Sequence, residues 1–207
     1  MRMRLLALVA LTLVAAGCGS GGSDNAAAPA PATVTVTETT TAPVETQTQP
    51  EVECSTAGLR LTLPDEKLPA EVADVRKRVF GAALACDYEE LERIALEKGE
   101  GFTFSYGGGD SAAAYWRQLE ESSTVEPKPM RALATILTMP YTRNETGSYA
   151  WPTAYSENPT DEAWQSLVDS GLYTQEQIDS MKAGGMYLGY RTAITADGDW
   201  QFFVAGD

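Results

Sequence analysis

The stretch LPAEVADVRKRVFGAALACDYEELERIALEKG, residues 68–99, predicts two consecutive helices that share one core. In its first half, apolar residues recur at the spacing of a single helix face. They are Val72, Val75, Val79, Phe80, Ala83 and Cys86. Pro69 is tolerated at a first helical position, and Asp87 followed by Glu90 predicts a cap with its reciprocal partner for the second helix. Gly99 ends that helix.

The remainder of the chain mixes helices and strands. GFTFSYG, residues 101–107, alternates as a strand does. Signals for the start of a helix follow at Asp110 or Ser111, at Pro129, at Asn158 with Pro159, and at Thr174 with Gln177. Two strands are predicted around the ETG turn at 145–147, and Asp197-Gly198-Asp199 predicts the turn of a C-terminal hairpin. Helices and strands do not alternate in a regular βαβ order, so the sequence predicts the α+β class. We expect a single domain of several helices packed on a curved, mostly antiparallel sheet.

An export signal precedes this domain. Arg2 and Arg4 form a short positive region, and Leu5 to Val14 are apolar over a length that suits a secretory signal. This apolar run is well short of the roughly 20 residues that a bilayer-spanning helix needs. Residues 1–17 are therefore predicted to be a signal peptide.

Three small residues, Ala15, Ala16 and Gly17, stand directly before Cys18. This pattern resembles the lipobox of bacterial lipoprotein signal peptides, although such families usually have Leu, Val or Ile where this chain has Ala15. The resemblance implies that the Cys18 sulfur receives a diacylglycerol and that Cys18 becomes the mature N-terminus. Two acyl chains would anchor the protein stably in the extracytoplasmic face of the cell membrane. The alternative is cleavage by ordinary signal peptidase, which would release a secreted, unlipidated product.

The two other cysteines are Cys54 and Cys86. In an oxidising compartment they have one intramolecular pairing available, and we predict that they form a disulfide. The alternative is a pair of buried free thiols.

Residues 19–50 are dominated by Gly, Ser, Ala, Pro and Thr, with hardly a large side chain. Such a segment buries too little apolar surface to offset the entropy of ordering, so it is predicted to be a disordered linker. The chain is thus divided into a signal peptide (1–17), a lipidated cysteine with its linker (18–50) and a globular domain (51–207).

Charge and composition exclude several classes of function. The chain has 29 acidic and 15 basic residues, which argues against nucleic acid as a partner. It contains no histidine, so triads and zinc sites built on imidazole are excluded. The glutamates between Glu89 and Glu100 are spread around a helix and no calcium-loop motif is present, so no metal and no cofactor are expected.

Three motifs carry a resemblance to known folds: ACDYEELERIAL, GFTFSYG and the hairpin turn DGDW. Their order after the long apolar helix resembles the nuclear-transport-factor-like cone fold. The chain is also similar to an uncharacterised domain of exported actinobacterial proteins, through the helix that starts at Leu68-Pro69, DYEEL (87–91), FTFSYG (102–107) and AAYW (113–116). The resemblance implies a curved sheet that wraps a helix and leaves a pocket. Enzymes of the cone fold often use an Asp-His pair, and this chain lacks histidine.

Aromatic residues give the candidate binding site. A groove for a glycan, lipid or peptide is predicted from Trp116, Tyr149, Trp151, Tyr155, Tyr190 and Arg191. The alternative is that these residues fill the core and the strand faces. Two functions follow: a non-catalytic lipoprotein module that binds an envelope ligand or protein, with no catalytic residues, or an acid-base enzyme of the cone fold that uses a buried carboxylate such as Asp110 with a tyrosine donor.

Overall fold

The computed structural model describes residues 53–99 and 101–206, which belong to one compact unit. The predicted signal peptide, Cys18 and the linker lie outside the described residues. The helices are α1 (Ala70–Ala85), α2 (Tyr88–Ala95), α3 (Ala112–Glu121), α4 (Pro129–Ile136), α5 (Asp161–Asp169) and α6 (Gln175–Gly184), with a 3-10 turn at Thr153–Tyr155. The strands are β1 (Thr142–Arg143), β2 (Tyr149–Trp151), β3 (Arg191–Ile194) and β4 (Trp200–Val204). The α+β class is confirmed.

The strands form one antiparallel meander in the order β1-β2-β3-β4. Thr192 in β3 lies opposite both Trp151 in β2 and Phe203 in β4. The Trp200 indole donates a hydrogen bond of 2.6 Å to the Thr192 hydroxyl, which satisfies a polar group in the core. The two predicted hairpins are thereby confirmed, and β3 joins them into one sheet.

Most of the residues predicted to start a helix do cap or begin one in the structure. Asp87 accepts a hydrogen bond from the Glu90 N–H, and Thr174 forms a complete capping box with Gln177. The reciprocal bond predicted for Glu90 is wrong, because its carboxylate binds Arg93 instead. Ser111 caps α3 and Pro129 occupies the first turn of α4.

The predicted cap of α5 is also wrong. Thr160, not Asn158, accepts the capping bond, which comes from the Ala163 N–H at 3.2 Å. Acidic residues in a first turn interact favourably with the helix dipole, and a helix that begins after Thr160 has both Asp161 and Glu162 at its first two positions.

The strand predicted at residues 101–107 is reduced to one parallel bridge between Thr103 and Phe202. Its aromatic side chains pack separately: Phe102 on Trp116 and Trp200, Phe104 on Tyr115, and Tyr106 beside Arg191. Because each ring has its own partner, the alternation reflects three packing sites and not one strand face.

A disulfide joins Cys54 to Cys86, as predicted, with the two Cα atoms 5.8 Å apart. Cys86 is the C-cap of α1 and has a left-handed backbone (φ 49°), a conformation that glycine usually supplies. The bond attaches the start of the domain to the end of α1.

Arg76 connects α1 to the end of α4 from within the core. Its guanidinium donates to the Leu137 carbonyl at 2.6 and 3.0 Å and pairs with the Glu66 carboxylate at 2.6 Å. Burial lowers the pKa of Arg76, and the Glu66 charge opposes this shift. Within the described ranges, no helix is long and apolar enough to cross a bilayer.

Candidate functional site

The six predicted groove residues do not form one site in the structure. Trp116, Trp151 and Tyr190 are buried, with 1%, 0% and 7% exposure. Trp116 packs near Trp200, and Tyr190 stacks on Phe203, so these rings contribute to the core. Tyr149 is half-buried, and the Arg143 guanidinium lies 3.9 Å from its ring centroid.

Arg191 and Tyr155, two of the predicted groove residues, lie next to each other in the structure. The Arg191 guanidinium lies 5.4 Å from the centroid of the Tyr155 ring, although the residue is only 7% exposed. It donates hydrogen bonds to the Gly189 and Gly206 carbonyls and to the Tyr106 hydroxyl. Within residues 53–99 and 101–206, no carboxylate forms an ion pair with it. Carbonyl and phenol dipoles, together with aromatic faces, therefore compensate this buried charge.

Tyr155 lines an open cleft of about 1010 Å³. Its other walls include Arg143, Asn144, Glu145, Glu157 and Gln201. They come from the end of β1 with the turn that follows it, the segment after the 3-10 turn, and β4. The meander brings these three segments together, and the lining combines an aromatic ring, amides and charges of both signs.

Ser148 fixes two of the amide side chains of this cleft, Asn144 and Gln201. Its backbone N–H donates to Asn144 Oδ1 at 2.8 Å, and its hydroxyl donates to Gln201 Oε1 at 2.7 Å. The Thr146 hydroxyl also donates to Asn144 Oδ1. Both amide oxygens are thus used inside the protein, whereas neither amide nitrogen has a partner among the described residues. The donor ends of Asn144 and Gln201 remain available for a ligand.

A second concave region lies beside Tyr190. It consists of cavities of about 430 and 570 Å³ that share Glu126, Pro127, Tyr173 and Gln177. It has no lining residue in common with the Tyr155 cleft. Tyr190 therefore does not take part in the same site as Tyr155.

Three tyrosines next to this region are structural. The Tyr187 hydroxyl donates to the Tyr190 carbonyl, and the Tyr190 N–H donates to the Tyr173 hydroxyl at 2.8 Å. Burial raises the pKa of the Tyr173 and Tyr187 phenols. A methyl group on Gly189 would lie 2.6 Å from the Tyr173 hydroxyl, so the backbone can pass there only as glycine.

The enzyme hypothesis needs a buried carboxylate such as Asp110, and the structure does not bury this residue. Asp110 is exposed, whereas Glu120 is only 5% exposed and accepts a hydrogen bond of 2.7 Å from the Met130 N–H. Burial, followed by the charge of Glu120, raises the pKa of Tyr88 to about 12. Glu120 was not predicted as a buried residue; it satisfies the first turn of α4, which has no side-chain cap of its own.

Comparison of the chain with protein-family models, curated proteins and solved structures finds no match. The resemblance to the cone fold stays a prediction.

Proposed function

We propose that the chain is a cell-envelope lipoprotein whose α+β domain is a non-catalytic binding module. In this proposal, acyl chains on Cys18 hold the protein on the extracytoplasmic face of the cell membrane, and residues 18–50 act as a tether. The lipobox-like sequence supports the anchor. The Cys54–Cys86 disulfide supports export, since such bonds persist in oxidising compartments.

The observation that carries the binding role is the composition of the Tyr155 cleft. Its volume of about 1010 Å³ lies at the upper end of the about 300–1,000 Å³ typical of small-molecule sites. A half-buried aromatic ring lies beside amide donors whose oxygens are already held by Ser148. Donors fixed in advance lose little freedom when a ligand arrives, which favours binding.

The alternative of an acid-base enzyme has no specific observation in its favour. Such an enzyme needs a buried carboxylate and a proton donor in one pocket. Asp110 is exposed, as are Glu145 and Glu157, the two carboxylates that share the cleft with Tyr155, and Glu120 is engaged by the Met130 N–H. We therefore assign the Tyr155 cleft to binding.

The anchor is tested on the native protein. We expect mass spectrometry of the N-terminal peptide to find Cys18 as the first residue, carrying acyl chains, and the protein to fractionate with membranes. Cys18→Ala should move the protein out of the membrane fraction, whereas Ser20→Ala, two residues further on, should not. An unmodified Cys18 thiol in the native peptide would contradict the anchor.

The binding role is tested by thermal unfolding of the purified full chain in the presence of fractionated envelope components. A ligand that binds the folded state raises Tm by mass action. The rise should disappear in Gln201→Ala and persist in Gln118→Ala, a change at an exposed residue of α3. If every fraction leaves Tm unchanged, the domain is not a ligand-binding module.

A further inference from the structure

We infer that the Tyr155 cleft binds a neutral oligosaccharide. This inference rests on the proposed function, and it specifies the chemical class of ligand for the same site. It depends on three properties of the cleft: a fixed aromatic platform, a mixed set of hydrogen-bonding groups, and charges that do not favour an anionic ligand.

The platform is the Tyr155 ring. Arg191 lies 5.4 Å from its centroid, and Phe202 contacts it edge to face with the centroids 6.1 Å apart. These two neighbours restrict the ring to one orientation, while the residue stays half-exposed in the cleft. The flat C–H face of a pyranose ring is apolar and matches the face of an aromatic side chain that is held in this way.

The polar groups match the hydroxyls of a sugar. Each hydroxyl is both a donor and an acceptor, so a site for a polyol needs partners of both kinds. Asn144 and Gln201 offer amide N–H donors, because their oxygens are occupied by Ser148. The exposed carboxylates of Glu145 and Glu157 offer acceptors at the rim.

The same lining argues against other small ligands. A fatty chain would leave the amide and carboxylate groups of the cleft without partners, which is unfavourable. A phosphate would meet two carboxylates and one cation, and the guanidinium of that cation, Arg143, already lies 3.9 Å from the Tyr149 ring centroid. The chain as a whole has a net charge of −14. An uncharged, hydroxyl-rich ligand avoids both difficulties.

The test uses the full chain in a detergent without a sugar headgroup. Chitotriose, cellotriose and maltotriose are titrated by calorimetry, and saturation-transfer NMR identifies the sugar protons that contact the protein. Inorganic phosphate, decanoate and trialanine serve as comparison probes. We expect at least one trisaccharide to bind with a dissociation constant in the millimolar range or tighter, through the C–H protons of one sugar face.

Two variants locate the site. Tyr155→Ala removes the platform and should weaken binding roughly ten-fold. Gln201→Glu keeps the oxygen that accepts from Ser148 but removes the free N–H donor, and should weaken binding about five- to ten-fold. Their matched controls are Tyr115→Ala, which truncates a half-buried tyrosine outside the cleft, and Gln118→Glu on the surface of α3. Both controls should bind as the wild type does.

Each outcome is decisive. The inference is overturned if none of the three trisaccharides binds, or if binding survives both Tyr155→Ala and Gln201→Glu. If phosphate, decanoate or trialanine binds in their place and is lost in Gln201→Glu, the saccharide class is wrong but the proposed binding function stands. Because Tyr155→Ala also removes a neighbour of Arg191, the Gln201→Glu result decides the case if the tyrosine variant does not fold.

Discussion

Removal of the disulfide should destabilise the domain by an amount that its loop length sets. The bond closes a separation of 32 residues, for which the chain-entropy model gives about 3.7 kcal/mol at 25 °C. We therefore expect Cys54→Ala with Cys86→Ala to reduce the free energy of unfolding by about 3 to 4 kcal/mol. Cys18→Ala in every protein compared removes the remaining thiol and so prevents intermolecular disulfides.

The backbone conformation at position 86 adds a second effect, which depends on the residue that replaces the cysteine. The φ of 49° at Cys86 is left-handed, and alanine retains a penalty of about 1–2 kcal/mol in that conformation. Glycine removes this penalty but loses about 0.5–1 kcal/mol more in backbone entropy on folding. Cys54→Ala with Cys86→Gly should therefore be more stable than the double alanine variant by about 0.5 to 1 kcal/mol.

Urea denaturation of the full chain, followed by circular dichroism, measures both differences. Thr56 tests the same segment, because its hydroxyl donates to the Leu84 carbonyl at 2.7 Å and lies 2.8 Å from the Cys54 sulfur. Thr56→Val should reduce stability by about 1 kcal/mol when the disulfide is present. Because the two groups are in contact, this effect should not be additive with removal of the bond. The reasoning is refuted if the double alanine variant loses less than about 1 kcal/mol, or if glycine at position 86 is no better than alanine.

Three other perturbations have expected outcomes. Arg76→Met leaves its carboxylate partner and the carbonyl at the end of α4 unpaired inside the protein, so urea denaturation should show a loss of about 3–5 kcal/mol; a loss below about 1 kcal/mol would contradict this. Gly189→Ala should lower stability by about 1–3 kcal/mol because the methyl group overlaps buried tyrosine hydroxyls. Gly184→Ala, in open space at the end of α6, is the control, and equal effects of the two would refute that explanation. The Arg78 hydrogen bond lowers the pKa of Glu97, so its contribution is present above the ordinary value of 4.5 and is lost as the pH falls through the lower folded value. Stability should therefore fall more on acidification in the wild type than in Glu97→Gln, and parallel pH profiles would contradict this.

Local signals were the parts of the fold that the sequence made predictable. The caps at Asp87 and Thr174 depend on residues three positions away, and the Asp197–Asp199 turn depends on its own backbone. Such features are complete within a few residues of sequence. The error at Asn158 arose because two cap-forming residues, Asn158 and Thr160, are only two positions apart, and the helix with the more acidic first turn begins after Thr160.

The strand predicted at 101–107 shows what local patterns leave undetermined. Alternating aromatic residues indicate alternating burial, but they do not indicate whether one partner or several cover them. Here Phe102 and Tyr106 have different partners, which lie in α3, β3 and β4. Those elements are distant in sequence, so a single chain without aligned relatives contains no signal for the pairing.

The candidate site was only partly accessible to sequence reasoning, for the same reason. Aromatic identity does not separate Trp116, which is in the core, from Tyr155, which lines the cleft. The amides of Asn144 and Gln201 were not predicted as site residues, because what fixes them is their shared hydrogen-bond partner, Ser148. Ser148 holds both, across a separation of 53 residues in the case of Gln201. The turn at 145–147 and the predicted groove residue Tyr155 were the sequence features that pointed to this corner of the sheet.

Binding at the cleft and the stability of the sheet are physically coupled through β3. Arg191 orients the Tyr155 ring from within the protein, and the next residue, Thr192, accepts the Trp200 indole hydrogen bond in the core. β3 cannot shift Arg191 without also shifting Thr192, because these two successive side chains project to opposite faces of the same backbone. The orientation of the aromatic platform is therefore maintained from β3 and β4, through the contacts of Arg191 and Phe202 with the Tyr155 ring. This coupling favours a preformed site over one that a ligand assembles on binding.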